Sequence, residues 1–151
     1  MNTTLPPWRI LLVEDNLGDI CLLRLALKEA ALNCELTVLN DGGEGLAFVR
    51  REGKYAGVCR PDMAVIDQVL PKFSGVDVLE AIRHSDDLAR IPVAILTSLE
   101  AHCYHRKSYS PDIDFHITKP LNLQEYLNIG VLLRDILAVN QSVRTCKSAG
   151  M

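Results

Sequence analysis

The sequence predicts an open α/β fold, with one parallel five-stranded sheet and helices on both faces. Short apolar runs alternate five times with amphipathic segments, the pattern of right-handed βαβ units. Four of the runs also stop at polar residues: Ile10–Val13 at Glu14-Asp15, Met63–Ile66 at Asp67, Val93–Leu96 at Thr97-Ser98, and Phe115–Thr118 at Lys119-Pro120. With 151 residues and 48% hydrophobic content, the chain is large enough to bury one core.

Residues 1–7 form a lead-in stiffened by Pro6-Pro7. Strand 1, Arg9–Val13, is apolar throughout, as suits a strand covered on both faces. Helix 1, about Gly18–Ala31, spaces Ile20, Leu23, Leu27 and Ala30 at three to four residues. Strand 2, Glu35–Leu39, is less apolar and belongs near an edge. Asp41 followed by Glu44 resembles a capping box, so helix 2 spans about Gly42–Glu52 and stops at Gly53. Strand 3 follows Pro61. Ser74 caps helix 3, about Gly75–His84, which turns Val78, Leu79 and Ile82 inward. Strand 4 follows Ile91-Pro92. A short polar helix is expected at about Ala101–Ser108, broken by Ser110-Pro111-Asp112. Strand 5 is Asp114–Thr118, and the last helix covers about Asn122–Ala138. Residues 139–151 read as a loose tail. Five such units fit the flavodoxin-like (βα)5 doubly wound sheet, order 2-1-3-4-5, as one domain over about 8–138.

Composition excludes several function classes. The net charge of −3 comes with no basic block, which argues against a nucleic-acid partner. No apolar run reaches the roughly 18 residues of a membrane span, and the N-terminus lacks a signal-peptide pattern. The five cysteines are odd in number and form no C-x-x-C, which disfavours a disulfide framework or zinc site and suits reduced thiols in a cytoplasmic protein.

Ligands of an open parallel sheet bind outside the carboxyl ends of its strands, at the switch point of strand order. Strands 1 and 3 flank that point, so Glu14, Asp15 and Asp67 are expected side by side. Clustered acids either take up protons or recruit a cation. Mg²⁺ suits this set, with Asp15 and Asp67 as direct ligands, Glu14 through water, and the Val69 carbonyl from the following turn. Asp67 is then the expected nucleophile toward a phosphoryl group. Lys119, the Thr97 hydroxyl and the Ser98 backbone N–H would hold the transferred oxygens, helped by the Gln68 N–H. Taken singly, Lys119 is an ordinary surface lysine and Thr97 a strand-end cap; only their joint placement singles them out. The Lys119-Pro120 bond is expected to be cis, which would fix the aim of Lys119.

Four stretches carry a family resemblance: I-L-L-V-E-D-N at 10–16, P-D-M-A-V-I-D at 61–67 with L-P-K-F-S-G at 70–75, I-P-V-A-I-L-T-S at 91–98, and I-T-K-P at 117–120. They resemble the receiver domain of two-component response regulators, and the resemblance spans about residues 8–138. V-E-D-N-x-G-D near the start and I-T-K-P-L-N-L near the end look most like the stand-alone regulators that partner bacterial phytochromes. The resemblance implies a non-enzymatic switch. A histidine kinase would donate a phosphoryl group to Asp67 with Mg²⁺ present, Thr97 would move inward, and the face formed by the fourth helix, fifth strand and fifth helix would change. The family's usual switch aromatic, three residues before the lysine, is replaced by His116, and Phe115 faces the other way. Val69 and Leu99 are apolar where polar side chains often position water, so slow self-dephosphorylation is expected.

No length remains after residue 138 for an output module, so the readout is expected to be a protein partner or a homodimer. The last helix carries one stripe of Leu123, Leu127 and Val131 and a second of Tyr126, Ile129, Leu133, Ile136 and Leu137. One stripe covers the sheet, and the surplus suits a dimer through the fourth helix, fifth strand and fifth helix; helix 1 stays open as the alternative surface. Two other functions remain to be weighed. An aspartate-nucleophile phosphatase needs an acid two residues after the nucleophile, where Val69 stands. A degenerate receiver used only for protein binding would not need all five site residues. The first turn, Glu14–Gly18, lacks G-x-G-x-x-G, which removes a dinucleotide site.

Overall fold

Five strands line up in the order β2-β1-β3-β4-β5, and every pairing is parallel. The coordinates are a computed structural model, described here for residues 5–98 and 114–140. The strands are β1 (Trp8–Val13), β2 (Cys34–Leu39), β3 (Met63–Asp67), β4 (Val93–Thr97) and β5 (Phe115–Thr118). Between them run α1 (Leu17–Glu29), α2 (Gly42–Val49) and α3 (Gly75–Arg83), with a 3₁₀ turn at Gly53–Tyr55 and a C-terminal helix at Leu123–Val139. The short helix expected at about 101–108 lies outside the described residues.

Strand alternation sends side chains to two separate cores. Ile10, Leu12, Met63, Val65, Ala94 and Leu96 pack beneath α1 and the C-terminal helix. Leu11, Val13, Ala64, Ile66, Val93 and Ile95 pack beneath α2 and α3. The central strands β3 and β4 are buried at every residue, whereas the edge strands β2 and β5 alternate with exposed positions. Truncating a fully enclosed residue such as Leu133 would cost about 2–5 kcal/mol.

Helix starts are capped at Asp41 and Ser74, as expected, and also at Asn16 and Asn122. Asn16, Asp41, Ser74 and Asn122 each accept a backbone N–H three residues on. At Ser74 the capping box is complete through Asp77. At Asp41 the Glu44 side chain turns instead to Tyr55 and Lys54. Helix ends differ from expectation. α2 stops at Val49, before Gly53, because Arg51 takes a left-handed φ of 56°. The Glu52 N–H then reaches the Ala47 carbonyl, closing a Schellman turn. α1 ends the same way, with Ala31 at φ 55° and the Leu32 N–H on the Leu27 carbonyl. Neither left-handed position is glycine, which costs about 1–2 kcal/mol each.

Helix α1 lies directly on the C-terminal helix. A Cβ on Gly130 would sit 2.1 Å from the Ala26 carbonyl oxygen, so only glycine permits that approach. On the C-terminal helix, Tyr126, Ile129, Leu133, Ile136 and Leu137 form the buried stripe, while Leu123 and Val131 face outward. Cys21, Cys34 and Cys59 are free thiols; Cys103 and Cys146 lie outside the described residues.

Candidate functional site

The polar strand ends converge at the carboxyl edge of the sheet. The β1–β2 ladder continues one residue past the end of β1, since the Glu14 N–H donates to the Leu39 carbonyl at 2.9 Å. That ladder bond draws the Glu14 side chain fully inside. Its Oε1 accepts the Asn16 N–H at 3.0 Å, while Asp15 points outward. Asp67, paired with Leu96 across β4, closes β3 and is also buried. β5 ends level with Thr97, and the Lys119 N–H donates to the Thr97 carbonyl at 2.6 Å.

From there Lys119 Nζ reaches three carboxylates: Asp19 Oδ2 at 2.8 Å, Asp67 Oδ2 at 2.9 Å and Glu14 Oε2 at 3.0 Å. Asp19 sits in the first turn of α1, its N–H held by Asn16 Oδ1 at 3.0 Å. Sequence reasoning passed over it as a residue of the site. The available signal was its spacing, one helical turn after Asp15, which returns the side chain to the same end of the sheet.

The turn after Asp67 is held from two sides. The Gly75 N–H donates to the Gln68 carbonyl at 3.0 Å, and a Cβ on Gly75 would meet the Asp67 carbonyl oxygen at 2.3 Å. The Gly42 N–H at the start of α2 donates to the Pro71 carbonyl at 3.1 Å. Lys72, at φ 70°, extends to Asp41 at 3.6 Å.

Two expectations need correction. The Gln68 N–H is not available to a ligand, because it donates to the Leu96 carbonyl at 2.9 Å and prolongs the β3–β4 ladder. The amide facing the carboxylate is that of Val69, at 3.2 Å from Asp67 Oδ1. No peptide bond among the described residues is cis, so Lys119-Pro120 is trans. The lysine is aimed instead by its backbone bond to Thr97 and by its three carboxylate partners.

Thr97 is fully buried, and its hydroxyl has no hydrogen-bond partner among the described residues. A buried hydroxyl left unpaired costs about 1–3 kcal/mol, so an acceptor arriving there would be stabilised. His116 is exposed and pairs with Ile95 across the sheet, on the face shared with Thr97. Phe115 faces the other core, as the alternation requires. Ser98 is exposed at the end of β4, and Leu99 lies outside the described residues. A surface groove between α2 and α3, lined by Leu46, Arg50, Phe73 and His84, contains none of these residues.

Charge is unevenly matched. Glu14, Asp19 and Asp67 share one ammonium, and Asp15 adds a further carboxylate beside Glu14 and Asp67. Burial pushes the Glu14 carboxyl up to about 7, and the neighbouring Asp67 pushes it in the same direction. Burial opposes the Lys119 charge, but the hydrogen bonds it donates to Asp19 and Asp67 outweigh that and raise its pKa. Glu14, Asp15 and Asp67 each offer an oxygen, all within 4.8 Å of one another. An oxygen-only donor set with surplus negative charge fits a hard divalent cation.

The fold and this strand-end constellation define a response-regulator receiver. The chain belongs to the response regulator receiver domain family, whose profile matches residues 10–129. Among its relatives is the response regulator Rcp1 of Synechocystis sp., 38% identical over 120 residues, covering 80% of this chain and 82% of that protein. The solved structure of the phosphorylated cyanobacterial phytochrome response regulator RcpA superposes with a TM-score of 0.71 at 36% identity, covering 82% of this chain and 89% of that one. The Mn²⁺-bound form of Rcp1 superposes with a TM-score of 0.72 at 35% identity, with the same coverage. Among the described residues no helix is long and apolar enough to cross a membrane.

Proposed function

We propose that this receiver accepts a phosphoryl group on Asp67 from the phosphohistidine of a histidine kinase, in the cytoplasm, with Mg²⁺ held by Glu14, Asp15, Asp67 and the Val69 carbonyl. The observation that carries the reading is the 2.9 Å contact between Lys119 Nζ and Asp67 Oδ2 beside the acid cluster. An Asp67 oxygen attacks phosphorus in line with the leaving nitrogen. The P–N bond breaks as the O–P bond forms, and the departing imidazole takes a proton from water. When bound, the cation neutralises charge on the transferring group. Lys119 pairs with one phosphoryl oxygen, and the Thr97 hydroxyl and Ser98 N–H hold another. The Val69 N–H, rather than that of Gln68, helps to hold the transferred group.

The Thr97 hydroxyl, without a partner among the described residues, is a ready donor for the new dianion. Its inward movement opens space on the sheet face that also carries His116, which makes these two residues the switch. The output is a changed surface at the fifth strand and C-terminal helix, where Leu123 and Val131 are exposed, and a homodimer through that surface is the proposed readout. A Val131→Glu variant that leaves the oligomeric state unchanged would contradict that dimer. The likeness to the cyanobacterial phytochrome response regulator RcpA supports a phytochrome kinase as the donor.

Incubation with acetyl phosphate and Mg²⁺ tests the reading. The intact mass should rise by one phosphoryl group, and Asp67→Asn should abolish the gain. A degenerate, binding-only receiver would show no gain in either protein.

A further inference from the structure

An ammonium group has three protons to donate, and three carboxylates surround that of Lys119. Two of these partners, Glu14 and Asp67, also belong to the acid cluster that fits the cation; Asp19 does not. We propose that Asp19 is the positioning residue of Lys119, holding the ammonium over Asp67 when the cation and the phosphoryl group engage the other two carboxylates. The inference rests on the phosphotransfer reading above and adds to it a residue outside the five strand-end positions.

Both backbone polar groups of Asp19 are themselves held. Its N–H donates to Asn16 Oδ1 at 3.0 Å, and its carbonyl accepts the Tyr126 hydroxyl of the C-terminal helix at 3.4 Å. The close seat of Gly130 on Ala26 locks those two helices together. A carboxylate on a rigid turn restrains a long, rotamer-rich side chain that the backbone alone leaves free. An acid in the first turn of a helix is favoured in any case by the helix dipole. That preference is met by a side chain in solvent, however, and does not require a 2.8 Å contact with a lysine 100 residues away.

The two roles separate in Asp19→Ala and Asp19→Asn, made in the full chain. Asparagine loses the charge but keeps an oxygen that accepts the Lys119 N–H, so it should rescue a positioning role and not a dipole role. Labelling of Lys119 by an amine-selective acylating reagent, read by peptide mass in Mg²⁺, should be about tenfold faster in Asp19→Ala. Phosphorylation by acetyl phosphate should be about tenfold slower. Asp19→Asn should stay within about threefold of the parent in both, and both variants should bind Mn²⁺ within about threefold of the parent. Three results would overturn the inference: parental labelling and phosphorylation in Asp19→Ala, behaviour of Asp19→Asn like Asp19→Ala, or a tenfold loss of Mn²⁺ affinity, which would make Asp19 a ligand. If the parent takes no phosphoryl group while the labelling responds as described, the phosphotransfer reading falls and the clamp stands.

Discussion

Lys119 and Asp67 lie 52 residues apart and close strands that are not neighbours, with β4 between them, yet Nζ stands 2.9 Å from Oδ2. Contact across an intervening strand requires the lysine to lean over the end of β4, and its N–H bond to the Thr97 carbonyl gives it that path. The site is therefore a property of the assembled sheet edge, and each of its parts can be perturbed separately.

Removing the ammonium should destabilise the metal-free protein. Lys119→Met leaves Glu14, Asp19 and Asp67 without a counter-charge in a largely buried pocket, which costs about 3 kcal/mol. Saturating Mg²⁺ should restore more than half of that loss, because the cation takes over the neutralisation. Urea unfolding with and without Mg²⁺ measures both. Equal losses in the two buffers would mean that the acids bind no cation.

Glu14 makes stability depend on pH in an unusual direction for a carboxylate. Its folded pKa of about 7 lies above the ordinary value of 4.5. The folded chain therefore binds the proton more tightly than the unfolded chain, and the stability contribution is complete below about pH 4.5 and lost as pH rises to about 7. In chelator, stability should fall by about 3 kcal/mol across that window. Glu14→Gln should remove the slope. Mn²⁺ affinity should change in the opposite sense, rising with pH until Glu14 is ionised.

Gly75→Ala probes the turn behind Asp67. The added methyl would sit 2.3 Å from the Asp67 carbonyl oxygen, so the start of α3 must shift and carry the Asp67 backbone with it. A stability loss of about 1–3 kcal/mol is expected. Phosphorylation should slow by more than the unfolded fraction explains, as single-turnover rates would show.

Val69 is expected to lengthen the life of an aspartyl phosphate at Asp67. Its exposed side chain cannot orient water, so label should persist for minutes or longer in the isolated protein. Val69→Asn should shorten the lifetime about tenfold by holding an attacking water. Loss of label within seconds from the parent would contradict this.

Most of the architecture was legible because strand ends are marked by residue type. Apolar runs closing on Glu14, Asp67, Thr97 and Lys119 place those residues at one edge, and five alternating units fit the flavodoxin-like 2-1-3-4-5 order. What was not legible depends on pleat and helical phase. Whether Gln68 or Val69 presents its N–H depends on how far the β3–β4 ladder extends, and residue identity does not encode that length. Asp19 looked like an ordinary first-turn acid because its partner is 100 residues away. Gly53 marks the stop of α2 in the sequence, whereas Arg51 adopts the left-handed turn, the surrounding packing overriding local preference.

The central claim is that Asp67 carries the phosphoryl group. Borohydride reduces an acyl phosphate and converts the aspartate that bore it into homoserine. After exposure to acetyl phosphate and Mg²⁺, reduction and peptide mapping should find homoserine at position 67 alone. Homoserine at position 15 or 19, or a phosphoryl group retained on a histidine, would contradict the account.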